Sequence, residues 1–312
     1  MERTLISRII PGTEVKVQGF VERVRNTGAM AFLVLRDRTG KVQVTIEKAV
    51  HPEFVEDLNS LTPESVVTVE GSAVSNPQVR LNGLEILPER LVIESLAAPL
   101  PLNKDAAVDT RMDYRWLELR GEKERLLFEV QTCLVSAMRQ FLTERDFLEI
   151  HTPKLIAAAS ESGADVFEVK YFDRKAYLAQ SPQFYKQMAM AAGFERIFET
   201  GPVFRAEKSF TNRHATEFSG FDLEFSYIES FEDVMRLEAE LLTYALEQVA
   251  RQYGEAIERQ YGVKVIVPQL PFPQISLKEL YAELERRYGY TVPESEKGDM
   301  TTEAEQLSYR VS

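Results

Sequence analysis

The sequence predicts an α+β protein in which a small closed β-barrel comes first and an antiparallel sheet flanked by helices follows. Between residues 14 and 95, apolar and polar side chains alternate in short runs separated by turn residues, which is the pattern of half-buried strands. Beyond residue 120, apolar residues recur at intervals of three and four, the helical period, and two alternating runs lie between the helices.

Five short strands and one helical insert account for the barrel. Turn signals at Thr39-Gly40 and Asn82-Gly83 separate neighbouring runs. The strands are expected near residues 15–21, 32–37, 42–46, 66–69 and 91–94, and the helical insert near residues 52–60. This succession predicts a closed barrel of the OB type, although a β-sandwich produces a similar pattern.

An irregular segment precedes the helical part of the chain. Pro99 and Pro101 disfavour regular structure, so residues 96–120 are expected to form a linker or hinge between domains 1–95 and 121–312. Helices are expected over residues 121–145, 231–252 and 277–288, and two antiparallel strands near residues 196–207 and 215–227.

The second of these two strands has a polar and an apolar face. Asp222 and Glu224 are expected on one side, because successive strand residues point to opposite faces. The residues expected on the apolar side are Phe221, Leu223, Phe225 and Tyr227. This alternation predicts a half-buried antiparallel pair.

Composition limits the classes of function. The net charge of −12 argues against a general nucleic-acid binder, although Arg23, Arg25, Arg36, Arg38 and Lys41 form a local basic cluster. A single cysteine argues against a disulfide framework or a multi-cysteine metal site. No apolar run approaches the length of a membrane span and the first residues do not resemble a secretory signal, so we expect a cytoplasmic protein without a membrane partner.

Several common catalytic signatures are absent. The sequence contains no phosphate loop of the Gly-x-x-x-x-Gly-Lys type, no Gly-x-Gly-x-x-Gly, no His-Glu-x-x-His and no Gly-x-Ser-x-Gly. The three histidines, His51, His151 and His214, are scattered, which argues against a histidine-rich metal site. Nucleotide binding would therefore need a different architecture.

The segment Phe204-Arg205-Ala206-Glu207, with the polar loop that leads to Phe218, is a candidate site for an anionic nucleotide. Arginine suits bidentate contact with phosphate. Arg205 and Glu207 would point the same way if both lay on a strand, and Phe218 offers a flat face for a base. An exposed hairpin with ordinary surface charges would contain the same residue types.

A second candidate segment is Gln180-Ser181-Pro182-Gln183, which Lys186 follows three residues later. Serine followed by proline favours a helix start, which places Gln183 and Lys186 on one face of the first turns. A lysine there suits recognition of a carboxylate, whereas a capped surface helix is the plain alternative. The segment Phe147–Pro153 alone indicates only a junction between a helix and a strand.

Taken together, the three segments resemble the ordered signature of class II aminoacyl-tRNA synthetases. Phe147–Pro153 resembles motif 1, whose usual role is dimerisation, and Phe204–Phe218 resembles motif 2. Gln180–Lys186 resembles the aspartyl-tRNA synthetases of the archaeal and eukaryotic branch. The resemblance covers residues 10–305 and implies an anticodon-binding OB barrel followed by an incomplete class II catalytic domain containing motifs 1 and 2 only.

The resemblance implies an ATP-dependent ligase that activates L-aspartate to aspartyl-adenylate and then transfers the aspartyl group to tRNA. Arg205 is the implied catalytic residue, because it would hold the α-phosphate and the substrate carboxylate. The implied aspartate-binding residues are Glu161, Gln183, Phe184, Tyr185, Lys186 and Arg205. The implied ATP-binding residues are Arg205, Ala206, Glu207, Arg213, His214, Ala215 and Phe218.

The resemblance also implies partners. In the barrel, Arg25, Phe32 and Gln43 match the anticodon-binding pattern of the family, and stacking plus edge hydrogen bonds is how OB surfaces bind single-stranded RNA. The expected partner is tRNA-Asp, and Pro77 resembles the family members that also charge tRNA-Asn. A homodimer through the motif 1 region is expected as well.

Motif 3, a glycine-rich strand and helix with an arginine for ATP, is not found in the 312 residues. The acidic pair that holds Mg²⁺ in the family belongs to the same part, so no metal ligands are expected here and the chain alone is expected to activate aspartate poorly. A non-catalytic tRNA-binding paralogue is the alternative, and the retained site residues disfavour it. The barrel disfavours a free-standing amide ligase, and Gln180–Lys186 disfavours a synthetase for asparagine or lysine.

Overall fold

The computed structural model describes residues 1–103, 105–160, 165–207 and 215–310. The chain divides into two compact units, Met1–Glu118 and Leu119–Ser312. In the part of the chain that is described, no helix has both the length and the apolar character needed to cross a membrane.

The first unit is a closed five-stranded barrel. Its strands are β1 (Glu14–Asn26), β2 (Met30–Asp37), β3 (Gly40–Glu47), β4 (Val66–Ser75) and β5 (Leu84–Ser95), with helix α1 (Val55–Ser60) between β3 and β4. The order around the barrel is β1-β2-β3-β5-β4, and β4 pairs with β1 to close it. The predicted OB barrel is therefore confirmed, and the β-sandwich alternative is excluded.

Alternation along the strands produces the barrel interior. Ala31, Leu33 and Leu35 on β2 are fully buried, as expected for inward-facing positions. Two glycines allow close approach of neighbouring strands. A Cβ atom at Gly19 would lie 2.5 Å from the Arg36 carbonyl oxygen, and one at Gly71 would lie 2.1 Å from the Leu87 carbonyl oxygen. The register shifts beside Gly71, where a tightly closed barrel has to bend.

The N-terminal segment is fastened to the turn between β2 and β3 by Asp37. Asp37 Oδ2 accepts a hydrogen bond from Ile6 N at 2.9 Å, and Oδ1 accepts from Thr39 N at 2.6 Å and from Gly40 N at 3.1 Å. Burial opposes ionisation, but these hydrogen bonds outweigh it and hold the pKa of Asp37 below its usual value. The carboxylate thus stabilises a turn and the segment that covers the end of the barrel.

Helices and two small sheets form the second unit. The segment 96–120 contains the short helices α2 (Val108–Asp113) and α3 (Arg115–Glu118) in the first unit. The helices of the second unit are α4 (Glu122–Thr143), α5 (Gln183–Ala191), α6 (Phe231–Tyr261), α7 (Leu277–Tyr288) and α8 (Thr302–Ser308). Its strands are β6 (Leu148–Glu149), β7 (Leu155–Ile156), β8 (Glu168–Tyr171), β9 (Arg174–Leu178), β10 (Arg196–Phe204) and β11 (Glu217–Phe225). They pair in the orders β11-β10-β6 and β7-β9-β8.

One face of the antiparallel pair β10–β11 packs on helices. Phe198 of β10 lies in a buried cluster with Phe141 of α4 and Leu241 of α6, and Phe221 and Leu223 of β11 pack against the same cluster. The predicted apolar face is therefore confirmed for these residues. The opposite face of β10–β11 carries Glu199, Asp222 and Glu224 together with the buried Ile197 and Val203.

The expectation for Tyr227 is wrong. The strand β11 ends at Phe225, and the side chain of Tyr227 is 88% exposed. Its φ of 58° lies in the left-handed region, so the backbone has already turned away from the strand before this residue. The apolar character of Tyr227 continued the alternating pattern beyond the end of the sheet.

Candidate active site

The polar face of β10–β11 places three carboxylates together. In the antiparallel register Glu199 lies directly opposite Asp222, and Gly201 lies directly opposite Gly220. Residues directly opposite each other share a face, and Glu224 lies two residues beyond Asp222 on the same side. The face opposite the helical core therefore has an acidic end and, beside it, a stretch of bare backbone.

Lys186 of α5 is the cation at this acidic end. Its Nζ donates a hydrogen bond to Asp222 Oδ1 at 2.8 Å and lies 3.2 Å from Glu224 Oε2. Helix α5 begins at Gln183, whose N–H donates to Ser181 Oγ at 3.3 Å. A helix thus starts in the predicted segment, but Pro182 is its N-cap residue instead of a residue of its first turn, and Ser181 lies one residue before the N-cap.

The lysine stays charged in this setting. Burial alone would lower the pKa of Lys186, but the hydrogen bonds and charges of Asp222 and Glu224 outweigh it and raise the pKa above its usual value. The side chain is only 14% exposed. A largely buried ammonium held between two carboxylates can exchange one of them for a carboxylate of a ligand, which suits recognition of an acidic side chain.

Glu199 is held by a separate set of donors. Thr152 N–H donates to its Oε1 at 2.7 Å, Thr152 Oγ1 donates to its Oε2 at 2.7 Å, and Lys154 Nζ lies 3.0 Å from Oε1. Burial opposes ionisation of this 4%-exposed residue, but these contacts outweigh it and lower the pKa of Glu199. It is therefore a fully hydrogen-bonded anion at the floor of the polar face.

Arg205 and Phe218 lie together at the other end of the face. The guanidinium carbon of Arg205 lies 5.5 Å from the centre of the Phe218 ring, within the range of a cation–π contact. Arg205 N donates to Thr216 O at 3.0 Å, which fixes the backbone. Arg205 Nε is buried and has no hydrogen-bond partner among the described residues. A buried donor of this kind fits an anionic ligand that would accept from it.

The predicted strand through Arg205 and Glu207 is shorter than expected. Strand β10 ends at Phe204, although Arg205 N still donates to Thr216 O at 3.0 Å in the same register, and Ala206 N donates to Asp165 O at 2.9 Å on the other edge of β10. The predicted strand is therefore three residues too long, and the shared direction of Arg205 and Glu207 stays a prediction. Glu207 is half-buried in the extended segment that follows.

Three predicted site residues, Glu161, Arg213 and His214, lie outside the described residues. Their described neighbours can be placed. Gln180 is fully buried, and its Oε1 accepts a hydrogen bond from Ser160 N at 3.1 Å. The glutamine of the Gln-Ser-Pro-Gln segment therefore anchors the residue that directly precedes Glu161.

The remaining predicted positions surround the same face. Gln183 lies one turn before Lys186 on α5, and Tyr185 is half-buried between them. Phe184 is 45% exposed on the same turn, and Ala215 is exposed just before β11. Gln183 and Lys186 thus lie one turn apart on the same helix.

Three acidic residues of the site were not predicted as site residues from the sequence. Asp222 and Glu224 were expected on a polar face without a role, and Glu199 was not among the candidate residues. A signal was present, because the carboxylates alternate with large apolar residues on a strand that is buried on one side only. Acidic residues at such positions lie on the open face of a sheet, where ligands bind.

In the first unit, Phe32 lies on the outer surface of the barrel. Its neighbours Ala31 and Leu33 are fully buried, whereas Phe32 is half-buried and is not part of the barrel core. It pairs with the exposed Arg25 of β1 and with Thr45 of β3. The ring is therefore available to a ligand, and core packing does not account for it.

Gln43 lies on the same outer surface and is oriented by its neighbours. Its Nε2 donates to Thr45 Oγ1 at 2.9 Å and to Glu85 Oε2 at 3.3 Å. The other oxygen of Glu85 accepts from Asn76 Nδ2 at 2.8 Å, at the start of the loop between β4 and β5. Glu85 thus connects Gln43, a predicted anticodon-binding residue, to that loop.

Part of the basic cluster is committed to ion pairs. Arg36 Nη2 lies 2.6 Å from Glu64 Oε1, and Lys41 Nζ lies 2.9 Å from Glu22 Oε1. These two cations are partly neutralised by buried or half-buried carboxylates. The predicted phosphate-binding face is therefore weaker than the sequence count indicates, and Arg25 remains an exposed member beside Phe32.

The described residues do not form a magnesium site. Across residues 1–103, 105–160, 165–207 and 215–310 no group of three or more His, Cys, Asp or Glu side chains stands close enough to hold a metal ion. Asp222 and Glu224 are a pair of oxygen donors, but Lys186 lies between them. No step of the chemistry is therefore assigned to Mg²⁺ bound by these residues.

Comparison with known proteins identifies both units. Residues 107–311 match the family of class II tRNA synthetases described for D, K and N. Residues 15–93 match the family of OB-fold nucleic acid binding domains.

Relatives match over nearly the whole chain. An aspartate–tRNA(Asp/Asn) ligase of Methanopyrus kandleri is 45% identical over 94% of this chain and 68% of its own length. An aspartate–tRNA(Asp) ligase of Pyrococcus abyssi is 40% identical over 97% of this chain and 69% of its own. The structure of asparaginyl-tRNA synthetase from Pyrococcus horikoshii with asparaginyl-adenylate has a TM-score of 0.89 at 30% identity, covering 100% of this chain and 73% of that one. The chain thus spans about two thirds of the length of these curated relatives.

Proposed function

Since the chain belongs to the family of class II tRNA synthetases for aspartate, lysine and asparagine, we propose that it acts as an aspartate–tRNA ligase. The observation that supports aspartate is Lys186, whose buried ammonium contacts Asp222 at 2.8 Å on the open face of β10–β11. An ammonium at this place favours a side-chain carboxylate over a neutral amide, because only the carboxylate adds an attractive charge–charge interaction with Lys186.

The reaction has two steps. The α-carboxylate of aspartate attacks the α-phosphate of ATP, the bond to pyrophosphate breaks, and aspartyl-adenylate forms. The terminal adenosine of tRNA then accepts the aspartyl group and AMP leaves. Chemistry of this kind depends mainly on positioning and on stabilising charge.

The described residues can position the substrates and stabilise the charge that develops. Lys186 binds the side-chain carboxylate, with Gln183 one turn before it. Asp222 and Glu224 then accept the α-ammonium, since each loses part of its contact with Lys186. Arg205 offers its buried Nε to the α-phosphate, where negative charge is shared with the attacking oxygen.

The adenylate is bound at the other end of the face. Phe218 stacks on adenine, with the Arg205 guanidinium 5.5 Å from its ring, and Glu207 contacts the adenylate. Ala206 and Ala215 border the same segment, and Arg213 and His214 complete the proposed triphosphate contact. Within the aspartate pocket, Phe184, Tyr185 and Glu161 are proposed to surround the amino acid.

The barrel binds the anticodon of tRNA-Asp through Arg25, Phe32 and Gln43. The relatives named for both tRNA-Asp and tRNA-Asn, together with Pro77 in the loop between β4 and β5, extend the proposal to tRNA-Asn. We place the protein in the cytoplasm as a homodimer. The exposed Leu127 and Phe128 of α4, the helix before motif 1, support dimerisation through that helix.

A binding experiment tests the amino-acid assignment without requiring turnover. Non-hydrolysable sulfamoyl analogues of aspartyl-adenylate and asparaginyl-adenylate are titrated into the 312-residue protein by calorimetry. The aspartyl analogue is expected to bind at least about tenfold more tightly, because its carboxylate is attracted by the Lys186 ammonium and the neutral amide is not. Equal affinity would overturn the assignment to aspartate. Binding of tRNA with no binding of either analogue would instead favour a non-catalytic paralogue.

A further inference from the structure

The polar face of β10–β11 contains two lysines and three carboxylates, which are divided into two groups. Lys186 of α5 contacts Asp222 and Glu224, and Lys154 contacts Glu199 at 3.0 Å. The two groups are neighbours, because Glu199 and Asp222 are directly opposite each other in the strand register. Opposite residues on one face have Cβ atoms about 4.5–5.5 Å apart.

We propose that Glu199 is a positioning residue of the amino-acid pocket, which binds Lys154 and so prevents this second ammonium from drawing Asp222 away from Lys186. The proposal rests on the proposed function, because it assigns the aspartate pocket to Lys186. It gives Glu199 a role for selectivity although the residue is buried below the face and touches no part of the substrate.

The strand positions next to Glu199 and Asp222 are the glycines Gly201 and Gly220, which place no side chain beside Lys154. The Lys154 side chain lies against Gly201, where a Cβ atom would stand 3.4 Å from both Cε and Nζ. The residue opposite Gly201 on β11 is Gly220, which also has no side chain. A lysine has a flexible four-carbon stem, so a rotation across these two glycines would bring its ammonium towards Asp222.

The contacts of Glu199 keep Lys154 where it is. Thr152 donates to both carboxylate oxygens at 2.7 Å, which fixes the carboxylate and therefore its ammonium partner. The backbone of Lys154 is fixed as well, since its carbonyl accepts from Ala179 N at 3.0 Å. Lys154 Nζ also donates to Thr152 Oγ1 at 3.2 Å, so the end of the side chain is the part of Lys154 that can move when Glu199 is changed.

Neutralising Glu199 would change the ion-pair partner of Lys154. In a Glu199→Gln variant the amide no longer balances the Lys154 charge, and Asp222 is the carboxylate directly opposite residue 199 in the strand register. Asp222 would then be shared between two lysines, which withdraws it from Lys186 and from the α-ammonium of the substrate. The loss would affect the aspartyl part of the ligand and not the nucleotide part.

The first experiment compares Glu199→Gln with the double variant Glu199→Gln/Lys154→Met in the full chain. Glu199→Gln is expected to bind the sulfamoyl aspartyl-adenylate analogue about tenfold more weakly and ATP within about twofold of the original protein. The double variant is expected to recover to within about threefold, because the competing ammonium is gone. A double variant as weak as Glu199→Gln, or weaker, would overturn the proposal, since a purely structural role predicts added damage.

Two further variants complete the test. Lys154→Met alone is expected to keep the preference for the aspartyl over the asparaginyl analogue, and it decides the matter if Glu199→Gln does not fold. A tenfold loss of that preference would overturn the proposal, because Lys154 would then contact the substrate itself. Glu168→Gln is the matched control, since Glu168 is paired with Lys175 at 2.9 Å in an exposed hairpin, and it should change neither affinity.

A crystal structure of Glu199→Gln provides a readout that needs no ligand. Lys154 Nζ is expected within about 4 Å of an Asp222 carboxylate oxygen, the distance of an ion pair. If Lys154 Nζ remains beside residue 199, the proposal is wrong. Failure of the original protein to bind either analogue would count against the proposed function, whereas this structure decides the role of Glu199 separately.

Discussion

Lys186 Nζ lies 2.8 Å from Asp222 Oδ1 and 3.2 Å from Glu224 Oε2, so one largely buried ammonium serves two carboxylates. Removing the ammonium with Lys186→Met should weaken the aspartyl-adenylate analogue by about 100-fold or more, because two facing carboxylates then repel the incoming one. The preference over the asparaginyl analogue should disappear. Calorimetric titration with both analogues measures the two effects.

Lys175 provides the matched control for this lysine. It is also paired with a carboxylate, Glu168, at 2.9 Å, but its side chain is 70% exposed in the hairpin β8–β9. Exposed ion pairs contribute little, so Lys175→Met should leave both analogue affinities within about twofold. If Lys186→Met behaved like Lys175→Met, the amino-acid pocket would have to lie elsewhere.

Arg205 should be required as a guanidinium and not only as a positive charge. Its Nε is buried without a partner among the described residues, and the group lies over the Phe218 ring. Arg205→Lys keeps the charge but loses the planar fork, so the aspartyl-adenylate analogue should bind about tenfold more weakly. Phe218→Leu should show a loss of similar size through adenine stacking.

The matched control for Arg205 is Arg196, which makes the same kind of cation–π contact elsewhere on β10. The Arg196 guanidinium also lies 5.5 Å from an aromatic ring, that of Phe147, at the opposite end of β10. Arg196→Lys should leave analogue affinity unchanged while it lowers stability slightly. A loss in Arg196→Lys equal to that in Arg205→Lys would show that the effect comes from strand stability and not from ligand contact.

The sequence correctly predicted the elements whose ends are set by residues close to them in the chain. Helix α7 spans Leu277–Tyr288 as expected, because Ser276 and Glu279 form a capping box and Gly289 ends the helix in the left-handed conformation. Helix α6 continues to Tyr261 instead of ending near residue 252, and Gly262 ends it in the left-handed conformation, as Gly289 ends α7. Tyr261 Oη also donates to the Lys123 carbonyl of α4 at 2.6 Å, a contact between distant parts of the chain that local patterns do not predict.

In the site, too, some features follow from the local sequence and others depend on distant parts of the chain. The spacing of Gln183 and Lys186 follows from helix geometry and was predictable, whereas the partners of Lys186 depend on α5 lying beside β11. Asp222 could be placed on a polar face but not against a particular lysine. The strand was predicted to reach Glu207, whereas β10 ends at Phe204 and Ala206 N donates to Asp165 O, which lies 41 residues before Ala206 in the sequence. A partner so distant in the sequence is not predictable from a local pattern.

Asp37 should make the stability of the barrel unit depend on pH. Its pKa is lowered in the folded state, so its contribution is present above the unfolded pKa of about 3.9 and is lost as pH falls through the lower folded pKa. Asp37→Asn should cost about 2 kcal/mol at pH 7, because an amide presents an N–H₂ group to backbone donors. The deficit should shrink below about pH 4.

Urea unfolding followed by circular dichroism between pH 7 and pH 3 measures this deficit. Glu89→Gln is the control, since Glu89 is an exposed residue of β5 in the same unit. It should change stability by less than about 0.5 kcal/mol at every pH. A deficit in Asp37→Asn that stays constant down to pH 3 would mean that the charge of Asp37 does not stabilise the turn.

Phe32 and Arg25 should contribute to tRNA binding in ways that salt distinguishes. Phe32→Leu removes a stacking ring from the outer surface of the barrel, so an anticodon stem-loop of tRNA-Asp should bind about tenfold more weakly at every salt concentration. Arg25→Gln removes a charge beside it, so the slope of log affinity against log salt should fall by about 0.7. Fluorescence anisotropy over a range of salt concentrations measures both quantities.

Phe20 is the matched aromatic control for the barrel surface. It is half-buried and faces outward on β1 like Phe32 on β2, but its ring lies 5.4 Å from the Arg36 guanidinium, which is itself paired with Glu64. Phe20→Leu should therefore leave stem-loop affinity unchanged. If it weakened binding as much as Phe32→Leu, the RNA would have to cross the barrel on the side of Arg36, and the anticodon would not lie on Phe32 and Gln43.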